Sequence, residues 1–420
     1  MTRRLVDTAI LEAKSVARAM LGIPDPWRLF RRFESRIHAD TWLLQQETLA
    51  WSERFGQTHA ESSPDGIADG DLRRGLETRA RVLALFKDAW LKKTHRWRVL
   101  IHLPDFIVSP AGYSLFWNLG AGLKWLGIPV EFWKHGTPIR QHLIEFEPTL
   151  LLSIDHIWYD LCQQPNDHSA HVESYRRDHE LTLGLSSNHF SADPVVLDAQ
   201  LELGRKLLVD FFYSFQCPEY VADRYRLFHE RGFKVLSLEF AANPLVYYPL
   251  PDITRDINYV YLAATNFEKW TRCCEYLDAP LSRRSGVIVG PGWSKAASAM
   301  VTEDQARALY ARARIGLNLH VPFQIAAPSE INERAYNLAA AAVPQLTDRP
   351  ALLAARLSDN AVFAADSPAE YAEQFEYMLS HPEEAKVRGL RAMEEILQQH
   401  TIFHRAEALL AFASELGSRA

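Results

Sequence analysis

What most constrains the fold is an alternation that begins at residue 97 and runs nearly to the end. Short apolar runs, each too brief for a helix, are separated by amphipathic stretches of helical length. WRVLIHLP (97–104), IPVEFW (128–133) and TLLLSID (149–155) read as strands, with helices over 111–126 and 137–148 between them. That order implies a parallel sheet with helices on its faces, because parallel neighbours need a crossover connection. Residues 160–206 show no clear period, and LLVDFFYS (207–214) and KVLSLEF (234–240) then resume the pattern around the helical stretch PEYVADRYRLFHERG. A second series follows with NYVYLAA (258–264), GVIVG (286–290), IGLNLH (315–320), a short Val-Pro-Gln-Leu strand and AVFAAD (361–366). Ser367-Pro368-Ala369-Glu370 has the form of a capping box with proline at the first helical position. The proline-marked LEFAANPLVYYPLPDI (238–253) joins the two series. The expected fold class is therefore α/β, with two Rossmann-type open parallel-sheet domains. A helical N-terminal extension covers 1–95, the first domain 96–240, the second 241–400, and a closing helix 401–420.

A hydrophobic fraction of 48% over 420 residues is enough for two sizeable cores. The formal charge of -6 gives no general footprint for nucleic acid, so any anion must be held locally. Cys162, Cys217, Cys273 and Cys274 match neither a disulfide framework nor paired zinc-ligand spacing, which makes a reducing cytoplasm the simplest setting. Charged residues interrupt positions 1–23, so the reading contains no signal-peptide core and no spanning segment. Peripheral membrane contact by this amphipathic stretch and ordinary packing or oligomerisation both stay open. Asp69-Gly70-Asp71 superficially matches a metal-holding Asp-x-Asp string, but it lies in the polar break 59–74, where such residues are turn chemistry. Histidines 168, 171, 179 and 189 form a loose run with no helical HxxxH or Cys/His pairing, and no metal site is expected.

In open α/β sheets ligands sit beyond the carboxyl ends of the strands, and two facing domains create a cleft lined by both sets of loops. The informative loops belong to the second series. After NYVYLAA, Asn266 is followed by Lys269 and Arg272, two cations that would share a bound anion or else form a solvated helix face. After GVIVG, Gly290 and Gly292 let backbone approach a ligand and Trp293 offers a flat face to a ring, although a glycine-rich turn after a strand is also ordinary structure. After IGLNLH the chain reaches SEINERAYNLAAAAVPQLTD (329–348), a polar head on an alanine-packed body. Ser329 reads as the N-cap, with backbone N–H groups near 330–332 directed into the cleft. Glu330, Arg334 and Asn337 would share one helix face, with Asn332 in the same head.

On LEFAANP, YVYLAATN, GPGW, IGLNLH, NERAYNLAAAAVPQLTD and the tail from DSPAEY to AEALL, the sequence resembles the CgeB-like (spore-maturation type) glycosyltransferases of the GT-B fold. The resemblance runs from about Leu238 to Leu410 and includes a C-terminal domain of the group 1 glycosyl transferase type. Two positions depart from the family pattern. Tyr336-Asn337 stands where the family has an aromatic-Glu pair whose glutamate holds the donor ribose, and Ala342 where it has a glycine.

The resemblance implies transfer of a sugar from a nucleotide diphosphate sugar to an acceptor hydroxyl on a glycan, glycoprotein or surface polysaccharide. The expected reaction is metal-independent, with retention and no permanently bound cofactor. Lys269, Arg272 and Arg334 would meet the phosphates, and Gly290, Gly292, Trp293 and Asn337 the nucleoside or sugar. The first domain would supply the base, with His135, Asp155 and His156 as strand-end candidates. Two other readings stay open. One is an epimerase or phosphorylase on the same plan, and the other a nucleotide-sugar or glycan-binding relative without turnover.

Overall fold

The computed structural model describes residues 25–56, 67–91, 96–105, 110–134, 137–154, 168–187, 194–293 and 301–417. Two wholly parallel sheets are present. The first contains β1 (Val99–Leu103), β2 (Val130–Lys134), β3 (Leu150–Ser153), β4 (Thr182–Ser186), β5 (Phe211–Ser214) and β6 (Lys234–Ser237), in the order β2-β1-β3-β4-β5-β6. The second contains β7 (Ile257–Leu262), β8 (Val287–Val289), β9 (Ala313–Asn318), β10 (Gln345–Asp348) and β11 (Phe363–Ala365), in the order β8-β7-β9-β10-β11. Both are doubly wound, with a switch point where the strand order reverses. In the first sheet that is between β1 and β3, and in the second between β7 and β9.

The strands form where the sequence is apolar on both faces, as a parallel sheet covered by helices requires. β1, β3 and β5 are buried throughout. β4 lies in the stretch that shows no sequence period. Its Gly184 is demanded by packing, because a Cβ there would fall 2.5 Å from the Phe211 ring.

The residues group differently from the sequence expectation. One unit comprises Met1–Leu72, Tyr248–Ala326 and Ala341–Ala392, and the other Arg73–Tyr247, Ala327–Ala340 and Met393–Ala420. The N-terminal helices are thus split between the two cores. The Pro26–Glu34 helix packs on the Phe267–Tyr276 helix, and the Asp40–Gly56 helix packs on the Glu303–Arg312 helix and β8. Phe30 and Phe33 are buried in the second sheet's core, whereas Phe86 and Trp90 of the Gly70–Leu91 helix are buried in the first sheet's. The closing helix, Ile402–Gly417, packs on the Pro110–Trp125 helix in the unit that carries the first sheet. Asp69 accepts from the N–H groups of Asp71 and Leu72 and pairs with Lys386, which makes it a helix cap. Among the described residues no helix is long and apolar enough to cross a membrane, and no group of three or more His, Cys, Asp or Glu is placed to hold a metal.

Candidate functional site

At the carboxyl end of β7 the chain runs through Thr265 to Asn266, whose side chain caps the Phe267–Tyr276 helix by accepting from the Lys269 N–H at 3.2 Å. Gly290 (φ 145°) and Gly292 (φ 94°) bring the loop after β8 against this one. A Cβ at Gly290 would lie 2.2 Å from the Ala263 carbonyl oxygen, and one at Gly292 would lie 2.1 Å from that of Thr265. The glycines therefore serve a loop-to-loop approach, which the Thr265 N–H completes by donating to Pro291 O at 2.9 Å. Trp293 differs from the expectation of a ligand platform. It is 4% exposed, donates Nε1–H to Ala263 O at 3.0 Å, and packs among Phe30, Phe33 and Tyr261. Phe30 also stacks on Trp270, so one aromatic cluster holds both loops. Thr265 Oγ is buried with no partner among the described residues.

At the end of β10 and just past the end of β9 stands a trio of ionisable residues, Asp348, His320 and Arg272. Asp348 Oδ2 accepts from Arg272 Nη2 at 2.6 Å, and its Oδ1 lies 2.6 Å from His320 Nδ1. The His320 backbone N–H donates to both oxygens, at 3.2 and 3.0 Å. Burial alone would raise the Asp348 carboxyl, but His320 and then Arg272 outweigh it and hold the group below the ordinary carboxylate range. Arg272 lies 4.6 Å over the Tyr276 ring, and its Nε is buried without a partner among the described residues. It is thus a held cation, rather than the solvated helix face left open by the sequence. His320 and Asp348 are absent from the sequence-derived candidates, although ionisable groups at strand ends within IGLNLH and QLTD are a usable signal.

The 329–337 segment is built in the other unit. Its helix spans Glu333–Ala340, so the expected cap changes. The capping side chain is Asn332, whose Oδ1 accepts from the Ala335 N–H at 3.1 Å. Ser329 instead accepts the Cys217 N–H at its carbonyl, 2.7 Å away, and Glu330 precedes the helix and cannot share helical spacing with Arg334. Glu333 Oε1 accepts from Ser114 Oγ at 2.9 Å and from Asn118 Nδ2 at 2.8 Å, while Asn243 Nδ2 donates to Asn118 Oδ1 at 2.7 Å. Tyr336 donates to Glu239 Oε1 at 2.8 Å. Glu239, Glu333, Asn118 and Arg405 line a cavity of about 20 Å³ here. Ser329 Oγ and Asn337 Oδ1 are buried with no partner among the described residues. Arg334 lies on the helix, partly buried.

Ala342, two residues past that helix, has φ 51°, the left-handed conformation that glycine adopts without a Cβ penalty. Its carbonyl accepts from Arg255 Nη2 at 2.8 Å. His135, Asp155 and His156, the candidate bases, lie outside the described residues, as do Cys162 and His189. His168 is buried edge-on to Trp133, while His171 and His179 are exposed.

Residues 272–411 match a family model described as "Glycosyl transferase-like". The match covers about a third of the chain, from Arg272 to the closing helix. No curated protein sequence matches the chain. Among solved structures, the chain is similar to T4 phage BGT in complex with UDP-glucose, at 12% identity and TM-score 0.48, over 76% of this chain and 98% of that one. Anabaena Alr3699/HepE in complex with UDP-glucose is similar at 10% identity and TM-score 0.48, over 76% and 100%. An α-glucosyltransferase bound to UDP and a 13-mer DNA is similar at 8% identity and TM-score 0.49, over 77% and 100%.

Proposed function

We propose that the protein is a glycosyltransferase that moves a sugar from a nucleotide diphosphate sugar to an acceptor hydroxyl. The observation that carries this reading is the glycosyl-transferase-like span 272–411, which contains Arg272, the Gly290–Trp293 turn, His320, the 329–337 segment and Asp348. The chemical demand is stabilisation of the departing diphosphate, and fixed donors aimed at developing charge meet it. In this reading the phosphates fall to Lys269 and Arg272. Ser329 Oγ and Asn337 Oδ1, buried without partners among the described residues, suit hydroxyls of the donor. The base is His135, Asp155 or His156, transfer proceeds with retention and without a metal, and the acceptor is a glycan, glycoprotein or surface polysaccharide. The CgeB-like resemblance supports that acceptor class through its sequence blocks.

A panel of nucleotide sugars tests the reading. One donor raises the melting temperature and is slowly hydrolysed without acceptor; no stabilisation and no turnover with any donor overturns the assignment. A second reading, a binding relative without turnover, is favoured by Asn337, an amide where the resembled family has a carboxylate. Stabilisation with no hydrolysis or transfer under any acceptor selects it.

A further inference from the structure

We infer that Asp348 is a positioning residue that holds the Arg272 guanidinium so that its Nε edge meets an anionic group of the ligand at the β7/β9 switch point. The inference rests on the proposed function for the identity of that anion, a diphosphate. Three observations on one unit support it. The Asp348 carboxylate is saturated by protein donors: Arg272 Nη2, His320 Nδ1 and the His320 N–H. Its orientation is therefore fixed from two sides, and it has little capacity left for a ligand. Arg272 is tied at Nη2 and lies over the Tyr276 ring, yet its Nε–H is buried with no acceptor among the described residues. A buried guanidinium N–H without an acceptor is a cost that folding avoids unless something else supplies one. Finally, Thr265 Oγ, in the loop between β7 and the helix that carries Arg272, is likewise buried without a partner among the described residues.

The alternative is a fastening ion pair that only anchors the Phe267–Tyr276 helix to the sheet. A double-mutant cycle measures the coupling, and a lysine at position 272 separates the two. Binding of UDP, ADP, GDP and inorganic pyrophosphate is measured calorimetrically on the full chain. R272M and D348N each weaken binding at least tenfold, and the double variant is no weaker than R272M alone. A fastening pair couples in the same way, so R272K, which keeps a cation for Asp348 but has no Nε–H, decides: binding weakened as in R272M supports the inference, and binding kept at the wild-type level overturns it. Should D348N fail to fold, the wild-type protein decides. The Arg272 Nε–H resonance, identified by its absence from R272M, shifts on saturation with UDP or pyrophosphate. Binding that leaves this resonance unmoved removes the inference and leaves the transferase reading standing. Failure of all four probes to bind removes the transferase reading itself.

Discussion

The β9/β10 strand ends and the start of the Glu333–Ala340 helix satisfy their buried polar groups in opposite ways. At the strand ends a carboxylate is held by a guanidinium and an imidazole, so charge is met by charge. At the helix start the Glu333 carboxylate is met by a hydroxyl and an amide, Ser114 and Asn118, and the amide is braced in turn by Asn243. The difference is one of tolerance. An ion cluster out of water loses heavily when one member is removed, whereas a hydrogen-bond lattice loses one bond at a time.

Four measurements sharpen or break that contrast. Asp348→Asn keeps one acceptor oxygen but removes the charge that Arg272 and His320 share and turns an NH2 donor toward one of them, so chemical denaturation should show a loss of about 3–5 kcal/mol. Glu333→Gln keeps an acceptor oxygen for Ser114 and Asn118, so the loss should be about 1 kcal/mol. Equal losses from the two variants would end the contrast. Ala342→Gly should raise the unfolding free energy by about 1 kcal/mol, because it removes the left-handed penalty without touching the Arg255 bond to the Ala342 carbonyl.

The smallest effect is one of pH. Burial, then Arg405, pushes the His404 imidazole from its ordinary 6.5 down to about 4, and its Nδ1 accepts from the Thr401 N–H. The unfolded chain binds a proton that the folded one refuses, so this contribution is present above 6.5 and lost as pH falls toward 4. Asp348 lies below its ordinary 3.8, so its contribution holds until the pH drops under that value. Hydrogen exchange should therefore show the Ile402–Gly417 helix losing protection at a higher pH than β9 and β10. Simultaneous loss would count against it.

Most of the sheet architecture was legible because a doubly covered parallel strand is a continuous apolar run, as VLIHL and INYVYL show. β4 was not, since Thr182, Gly184 and Ser186 dilute its apolar signal and Gly184 answers to Phe211, 27 residues away. The loops after β7 and β8 were legible as special, but not their reason. Gly290 and Gly292 make room for carbonyl oxygens at Ala263 and Thr265, and no local pattern announces that. For the same reason, Asp348 as the partner of Arg272, 76 residues earlier, has no periodic signature. Ser329 illustrates the opposite error. It is a good capping residue three places before Asn332, and capping preference alone does not say where helical dihedrals begin.

The position of the Pro26–Glu34 helix bears on how the chain is made. Its Phe30 finishes against Trp270 and Trp293, which leave the ribosome more than 200 residues later. At ordinary synthesis speeds the wait is on the order of 10–50 s. During that interval a greasy, arginine-studded segment has emerged with nothing yet made to cover it. Nascent-chain chaperones are the natural stopgap, and slowing elongation ahead of codon 270 should worsen aggregation rather than relieve it.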